Sequence, residues 1–142
     1  TKERSVESLE KFSGVKRRLE LINTKNFILY DDFAHHPTAI SSSLDALRKK
    51  YPEKRITALF EIRSNSMIAG THKESFLNSF KKADKVYIYC RKEVKWLKTL
   101  SNLDLYSDID IVINEIMSST ENVDIVILMS NGDTSHIINK MK

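Results

Sequence analysis

Four stretches of this chain carry side chains able to bind or orient charged groups. Asp31-Asp32-Phe33-Ala34-His35-His36-Pro37 brings two carboxylates and two imidazoles into one short segment. An aspartate there can accept backbone N–H bonds at the start of a helix, or it can contact a ligand. His35 and His36 are adjacent, so on extended chain they point to opposite sides and do not share a metal. His72 and His136 are distant in sequence, and no metal site is expected. Arg17-Arg18 lies beside Glu20, where an exposed ion pair of little energetic weight is one reading. The other is phosphate binding, because a guanidinium fork holds oxyanions at two points and keeps its proton. Arg63-Ser64-Asn65 suits a carboxylate for the same reason, with Ser130-Asn131 able to complete a pocket.

These stretches follow apolar runs. The pattern predicts a short helix over 6–12 capped by Ser5, then strands over 18–22, 27–31, 55–61, 85–90 and 123–129. Helices are predicted over 37–51, 71–82, 108–119 and 135–141. Pro37 suits a first helical position, where its missing N–H costs nothing. The stretch 91–106 stays open, since Val94, Leu97 and Leu100 permit a helical turn. Strands alternating with helices imply βαβ units. Near-continuous apolar strands imply helices on both faces. The expected class is therefore α/β, a three-layer domain around a mostly parallel sheet. Asp32, His35 and Arg63 then lie at the carboxyl edge, where such sheets bind ligands.

Composition narrows the function. The 142 residues suffice for one domain with a real core, and 41% hydrophobic with 30% charged residues is ordinary. No apolar run is long enough to cross a membrane. The formal charge of +4 is spread along the chain, and several lysines fall at helix ends, so no nucleic-acid partner is expected. One cysteine, Cys90, excludes an internal disulfide and suits a reducing compartment; it reads as a buried structural thiol. Three glycines, Gly14, Gly70 and Gly132, leave neither a phosphate loop nor a dinucleotide fingerprint. The chain does not begin with methionine and reads as a fragment.

Four blocks resemble the muramyl ligases, ATP-dependent enzymes that build or recycle the peptide stem of bacterial cell-wall precursors. They are Phe12-Ser13-Gly14-Val15-Lys16-Arg17-Arg18-Leu19-Glu20, the Asp31 to Ile40 stretch, Phe60-Glu61-Ile62-Arg63-Ser64-Asn65-Ser66-Met67, and Met129-Ser130-Asn131-Gly132. The third and fourth resemble the branch that joins recycled murein tripeptide to UDP-N-acetylmuramate. The sequence departs from that branch at Ile62, where proline is usual. It departs again at Asp133-Thr134-Ser135-His136, which replaces a glycine-rich stretch. Trp96 reads as core.

The resemblance implies that residues 1–142 are a single Rossmann-like C-terminal domain of a cytoplasmic ligase. Its N-terminal UDP-sugar domain and central ATPase domain would lie upstream, and the fragment alone would be inactive. The implied reaction activates the lactyl carboxylate of UDP-N-acetylmuramate with ATP. The amine of L-alanyl-γ-D-glutamyl-meso-diaminopimelate then attacks the acyl phosphate. ATP and Mg2+ would be bound mainly by the central domain. The resemblance assigns Arg18, Asp32 and a supporting Asp31 to ATP. It assigns His35, Phe33, Arg63, Ser64, Asn65, Ser130 and Asn131 to the amine substrate. The alternatives are the alanine-adding ligase of the same family and a stand-alone Rossmann-like binding module.

Overall fold

The computed structural model describes residues 17–99, 104–120 and 124–142. The helix expected over 6–12 lies outside them. Six strands form one sheet: β1 (Glu20–Ile22), β2 (Ile28–Asp32), β3 (Ile56–Glu61), β4 (Lys85–Tyr89), β5 (Asp104–Tyr106) and β6 (Ile125–Met129). Their order is β1-β2-β6-β3-β4-β5. β1 runs antiparallel to β2, and every other pair is parallel. The helices are α1 (Pro37–Lys50), α2 (Asn65–Ile68), α3 (Lys73–Ser79), α4 (Ile109–Ser119) and α5 (Ser135–Met141).

Burial explains the architecture. Every residue of β3 and β6 is buried, as a central strand covered on both faces requires. On one face, Ile40, Leu44 and Leu47 of α1 and Phe76 of α3 pack against Ala58, Phe60, Ile88 and Ile127. On the other, Val112, Ile113 and Ile116 of α4 and Ile137 of α5 pack against Leu29, Leu59, Val126 and Leu128. α1 starts where Pro37 takes the first turn and His36 Nδ1 accepts from the Thr38 N–H at 3.3 Å. It ends on Arg48, Lys49 and Lys50, which complement its dipole.

This order creates the site. The helices that follow β2 and β3 cover one face, whereas the helix that follows β6 covers the other. Because β6 lies between β2 and β3, the chains leaving these neighbours diverge at the carboxyl edge. The divergence opens a crevice on each side of β6.

Three segments differ from the sequence expectation. The helix predicted over 71–82 spans Lys73–Ser79, and a separate short helix, α2, precedes it. The two are parted at Gly70, whose φ of +79° suits glycine. There the Trp96 indole N–H donates to the Met67 and Ile68 carbonyls, so Trp96 is half-buried against Phe76 and closes off α2. The open stretch contains a 3-10 turn, Lys95–Thr99, and β5. β5 is a short edge strand with Leu105 facing out, too brief to show a period. Cys90 is half-buried rather than buried. Its Sγ–H donates to the Lys92 carbonyl at 2.8 Å, and burial pushes the thiol up, helped by the Glu61 charge.

Candidate functional site

The first crevice, between β2 and β6, is organised by Arg17. The chain turns here through two left-handed residues, Arg17 at φ 62° and Leu19 at φ 42°. Non-glycine residues in that region cost about 1–3 kcal/mol each. Local hydrogen bonds offset this. The Arg17 N–H donates to Glu20 Oε2 at 3.0 Å, the Leu19 N–H to Asp32 Oδ2 at 3.0 Å, and the Phe33 N–H to the Arg17 carbonyl at 2.8 Å. The Arg17–Glu20 relation is therefore a backbone bond, and the side-chain ion pair that proximity suggested does not form. Instead the guanidinium turns inward. It donates to the Gly132 carbonyl at 2.5 Å and the Ser130 carbonyl at 2.6 Å, and its Nε lies 3.3 Å from Asp31 Oδ2.

Asp31 is buried and also accepts from the Thr134 hydroxyl at 3.1 Å. Burial pushes its carboxyl above the usual range, against the opposing pull of Arg17 and Thr134. Asp32 is buried too. One oxygen accepts from the Ala34 N–H at 2.7 Å, and the other from the Leu19 N–H and the Ser43 hydroxyl, both at 3.0 Å. Both aspartates thus brace the loop. Asp32 additionally lines a recess of about 480 Å³ with Arg18, Phe33, His35, Ser42 and Ser43. Arg18 is exposed and makes no hydrogen bond or ion pair with another described residue, so its guanidinium can meet an anion. Phe33 stands exposed between the Arg17 guanidinium, 5.2 Å from the ring centroid, and the His35 ring at 5.3 Å. His35 Nδ1 is 3.0 Å from the Phe33 carbonyl, which sets the imidazole against the loop.

The second crevice, between β6 and β3, gathers Glu61, Arg63, Ser130, Asn131 and Gly132. Ser64 caps α2, accepting from the Met67 N–H at 3.3 Å, and so aims the turn that carries Arg63. Asn65 opens α2 and, with Glu61, Ile62 and Arg63 after β3 and Cys90, Arg91 and Lys92 after β4, lines a recess of about 260 Å³ on the β4 side of Arg63. Glu61 is 2% exposed. Its Oε1 accepts from the Ser130 hydroxyl at 2.5 Å and lies 3.9 Å from Arg63 Nη1. Ser130 Oγ in turn accepts from the Gly132 N–H at 2.9 Å, so this hydroxyl is committed to the loop. Asn131 Oδ1 is buried and has no hydrogen-bond partner among the described residues.

The structure therefore divides the expected residues in an unexpected way. Phe33 and His35 share a recess with Arg18 and Asp32, while Arg63 and Asn65 line the other. Ser64 acts as a cap and Ser130 as an internal brace. Sequence reasoning gave Glu61 no role. A charged residue ending an otherwise apolar strand at the carboxyl edge was the available signal. Gly132 was read as part of a motif, and its closeness to Arg63 shows only in three dimensions. The described residues include no group of three or more His, Cys, Asp or Glu placed to hold a metal ion. They also include no helix long and apolar enough to cross a membrane.

The family model for the Mur ligase, glutamate ligase domain, matches residues 17–132. The UDP-N-acetylmuramate–L-alanyl-γ-D-glutamyl-meso-2,6-diaminoheptandioate ligase of Haemophilus influenzae is 34% identical, over 98% of this chain and 32% of its own length. The UDP-N-acetylmuramate–L-alanine ligase of Leuconostoc citreum is 43% identical, but over 54% of this chain and 17% of its own. Among solved structures, a murein peptide ligase from Psychrobacter arcticus superposes with a TM-score of 0.75 at 35% identity, covering 94% of this chain and 30% of that one. The chain thus spans about a third of the length of the full-length tripeptide ligases it matches.

Proposed function

This chain belongs to the Mur ligase family through its glutamate ligase domain, and on that premise we propose that it is the acceptor-binding, C-terminal domain of a longer ATP-dependent ligase. The reaction joins UDP-N-acetylmuramate to L-alanyl-γ-D-glutamyl-meso-diaminopimelate in the bacterial cytoplasm, as part of peptidoglycan recycling. One observation carries the reading: two recesses open on one sheet edge, one at the end of β2 and the other between the ends of β3 and β4, with β6 lying between β2 and β3 in the sheet. A ligase needs this arrangement, because the amine must reach a carboxylate activated at a neighbouring nucleotide. The tripeptide is favoured over alanine because 34–35% identity to tripeptide ligases runs along nearly the whole chain, whereas the sequence match to the Leuconostoc alanine ligase covers about half and a solved alanine ligase that covers 95% of the chain is only 21% identical.

The residues present fit part of a nucleotide site. Arg18 offers a guanidinium fork, unpaired among the described residues, for phosphate oxygens, and Asp32 lines the same recess. On this reading the rest of the longer ligase supplies most of the phosphate cradle and holds Mg2+. ATP supplies the phosphoryl group that turns the lactyl carboxylate into an acyl phosphate. The work of this domain is orientation. Arg63 holds a carboxylate of the tripeptide, so that the alanyl amine is oriented to add to the acyl carbon and expel phosphate, and water is kept out as the domains close.

The test is an acceptor panel on the full-length protein, comparing L-alanine with the tripeptide in the presence of ATP and UDP-N-acetylmuramate. Product with the tripeptide and little with alanine is expected. Preferential alanylation would move the assignment to the alanine-adding ligase. ATP-dependent ligation by residues 1–142 alone would overturn the division of labour.

A further inference from the structure

Arg63 is held in a seat with two sides. On one side is Gly132. A Cβ built on that glycine would fall 2.0 Å from Arg63 Nη1, 2.5 Å from Cζ and 2.8 Å from Cδ. The guanidinium and its stem therefore lie flat against the backbone of the β6 loop, in space that any side chain at 132 would take. On the other side is Glu61, buried, with Oε1 at 3.9 Å from Nη1. The same oxygen accepts from Ser130, whose Oγ accepts from the Gly132 N–H. A single carboxylate thus anchors the loop by a hydrogen bond and faces the arginine above it at ion-pair distance. Arg17 anchors the same loop through the Ser130 and Gly132 carbonyls, as do the Ser130 N–H on the Asp32 carbonyl and the Thr134 hydroxyl on Asp31.

We propose that Glu61 and Gly132 are positioning residues for Arg63, and that together they set how well the acceptor's carboxylate is held; this rests on the acceptor reading given above. Neither residue need touch substrate. Burying an ionised carboxylate is costly unless it is paired and hydrogen-bonded, and Glu61 meets that condition through Arg63 and Ser130. Half-exposed arginines lose considerable rotamer freedom when ordered. A floor at Gly132 and a charge at Glu61 remove that freedom in advance, which is how preorganisation raises affinity without adding a contact.

The substitutions separate positioning from folding. In Gly132→Ala the atoms that must give way belong to the flexible end of Arg63, not to backbone. The domain should fold with its arginine displaced. Glu61→Gln keeps an oxygen to accept from Ser130 but removes the charge beside Arg63, so it should also fold. The assay is steady-state kinetics on the full-length protein, with KM for tripeptide and for ATP and kcat measured separately, and folding checked by thermal melting. Arg63→Ala should raise tripeptide KM roughly tenfold or more, the loss of one charge-assisted contact. Gly132→Ala should reproduce most of that rise with Arg63 still present, and Glu61→Gln a smaller part, with ATP KM and kcat changed little. Combining either with Arg63→Ala should add almost nothing, because the changes act on one unit. If Arg63→Ala raises tripeptide KM while Gly132→Ala and Glu61→Gln do not, the positioning role is overturned and the acceptor reading stands. If Arg63→Ala itself leaves tripeptide KM unchanged, both fall.

Discussion

Arg17 and Arg18 are neighbours with opposite expected phenotypes. Arg17→Ala removes two charge-assisted hydrogen bonds to the Ser130 and Gly132 carbonyls and the partner of a buried carboxylate, Asp31. Bonds of that kind contribute about 1.5–3 kcal/mol each, and breaking a buried pair costs about 3–5 kcal/mol. The contributions overlap, and Arg17 is 20% exposed, so water recovers part of the loss. About 3 kcal/mol is expected, or about 10 °C in melting temperature for a domain of this size. The loss should depend on pH, with a sign that follows from Asp31. Its folded carboxyl is already raised above the ordinary value by burial. Such a group disfavours the fold as pH rises through its folded pKa and costs nothing below its unfolded one. Removing Arg17 raises it further. The gap between wild type and variant should therefore be partial near about pH 4, where only the bonds to the Ser130 and Gly132 carbonyls are lost, and full near about pH 8, where the Asp31 contribution is added. Arg18→Ala removes an exposed side chain and should move stability by no more than about 0.5 kcal/mol, while lowering ligation by the full-length protein roughly tenfold to hundredfold. Urea unfolding of both variants at the two pH values decides the matter. A pH-independent loss, or one under about 1 kcal/mol at the higher pH, would refute the claim that Arg17 neutralises a buried Asp31.

Two further outcomes are expected. Asp32→Ala should destabilise the domain by about 2–4 kcal/mol in thermal melts, because two backbone N–H groups and a serine lose their acceptor. Lost activity in that variant must then be read against its folded fraction. Asp84 is exposed; partial desolvation pushes its carboxyl up, but the Ile56 N–H and the Arg48 guanidinium outweigh this and hold it below the usual range. Its contribution is present above the unfolded carboxylate value and is lost as pH falls through the folded one. Asp84→Asn should therefore cost about 1 kcal/mol near neutrality, reduced by the group's half exposure, and the gap in urea midpoints should close on acidification.

The parts of the fold legible in the sequence are those where burial imposes a pattern. Ile125 to Met129 is apolar throughout because helices cover both faces of β6, and α1 shows its period because Ile40, Leu44 and Leu47 line one core. β5 and α2 escaped because a three-residue edge strand and a four-residue helix are too short to show any period. What holds them is tertiary: pairing of β5 with β4, and the Trp96 indole over the Met67 and Ile68 carbonyls. The site divides along the same line. Residue type and position after a strand were enough to single out Asp31, Asp32 and Arg63. They could not distinguish Arg17 from Arg18, because adjacent arginines are told apart only by which way the chain turns. That turn is made by left-handed residues other than glycine, which no composition rule anticipates. Nor could sequence separate binding from bracing. Ser130 follows a strand at the ligand edge, as a contact residue would, yet its hydroxyl is spent between Glu61 and Gly132. The consequence is that loss of activity on mutating a residue at this edge does not by itself identify a ligand contact. Arg18 and Arg63 are exposed and line the recesses. Arg17, Asp31, Glu61 and Ser130 act one step behind them, and only separate measurement of stability and of each substrate's KM distinguishes the two groups.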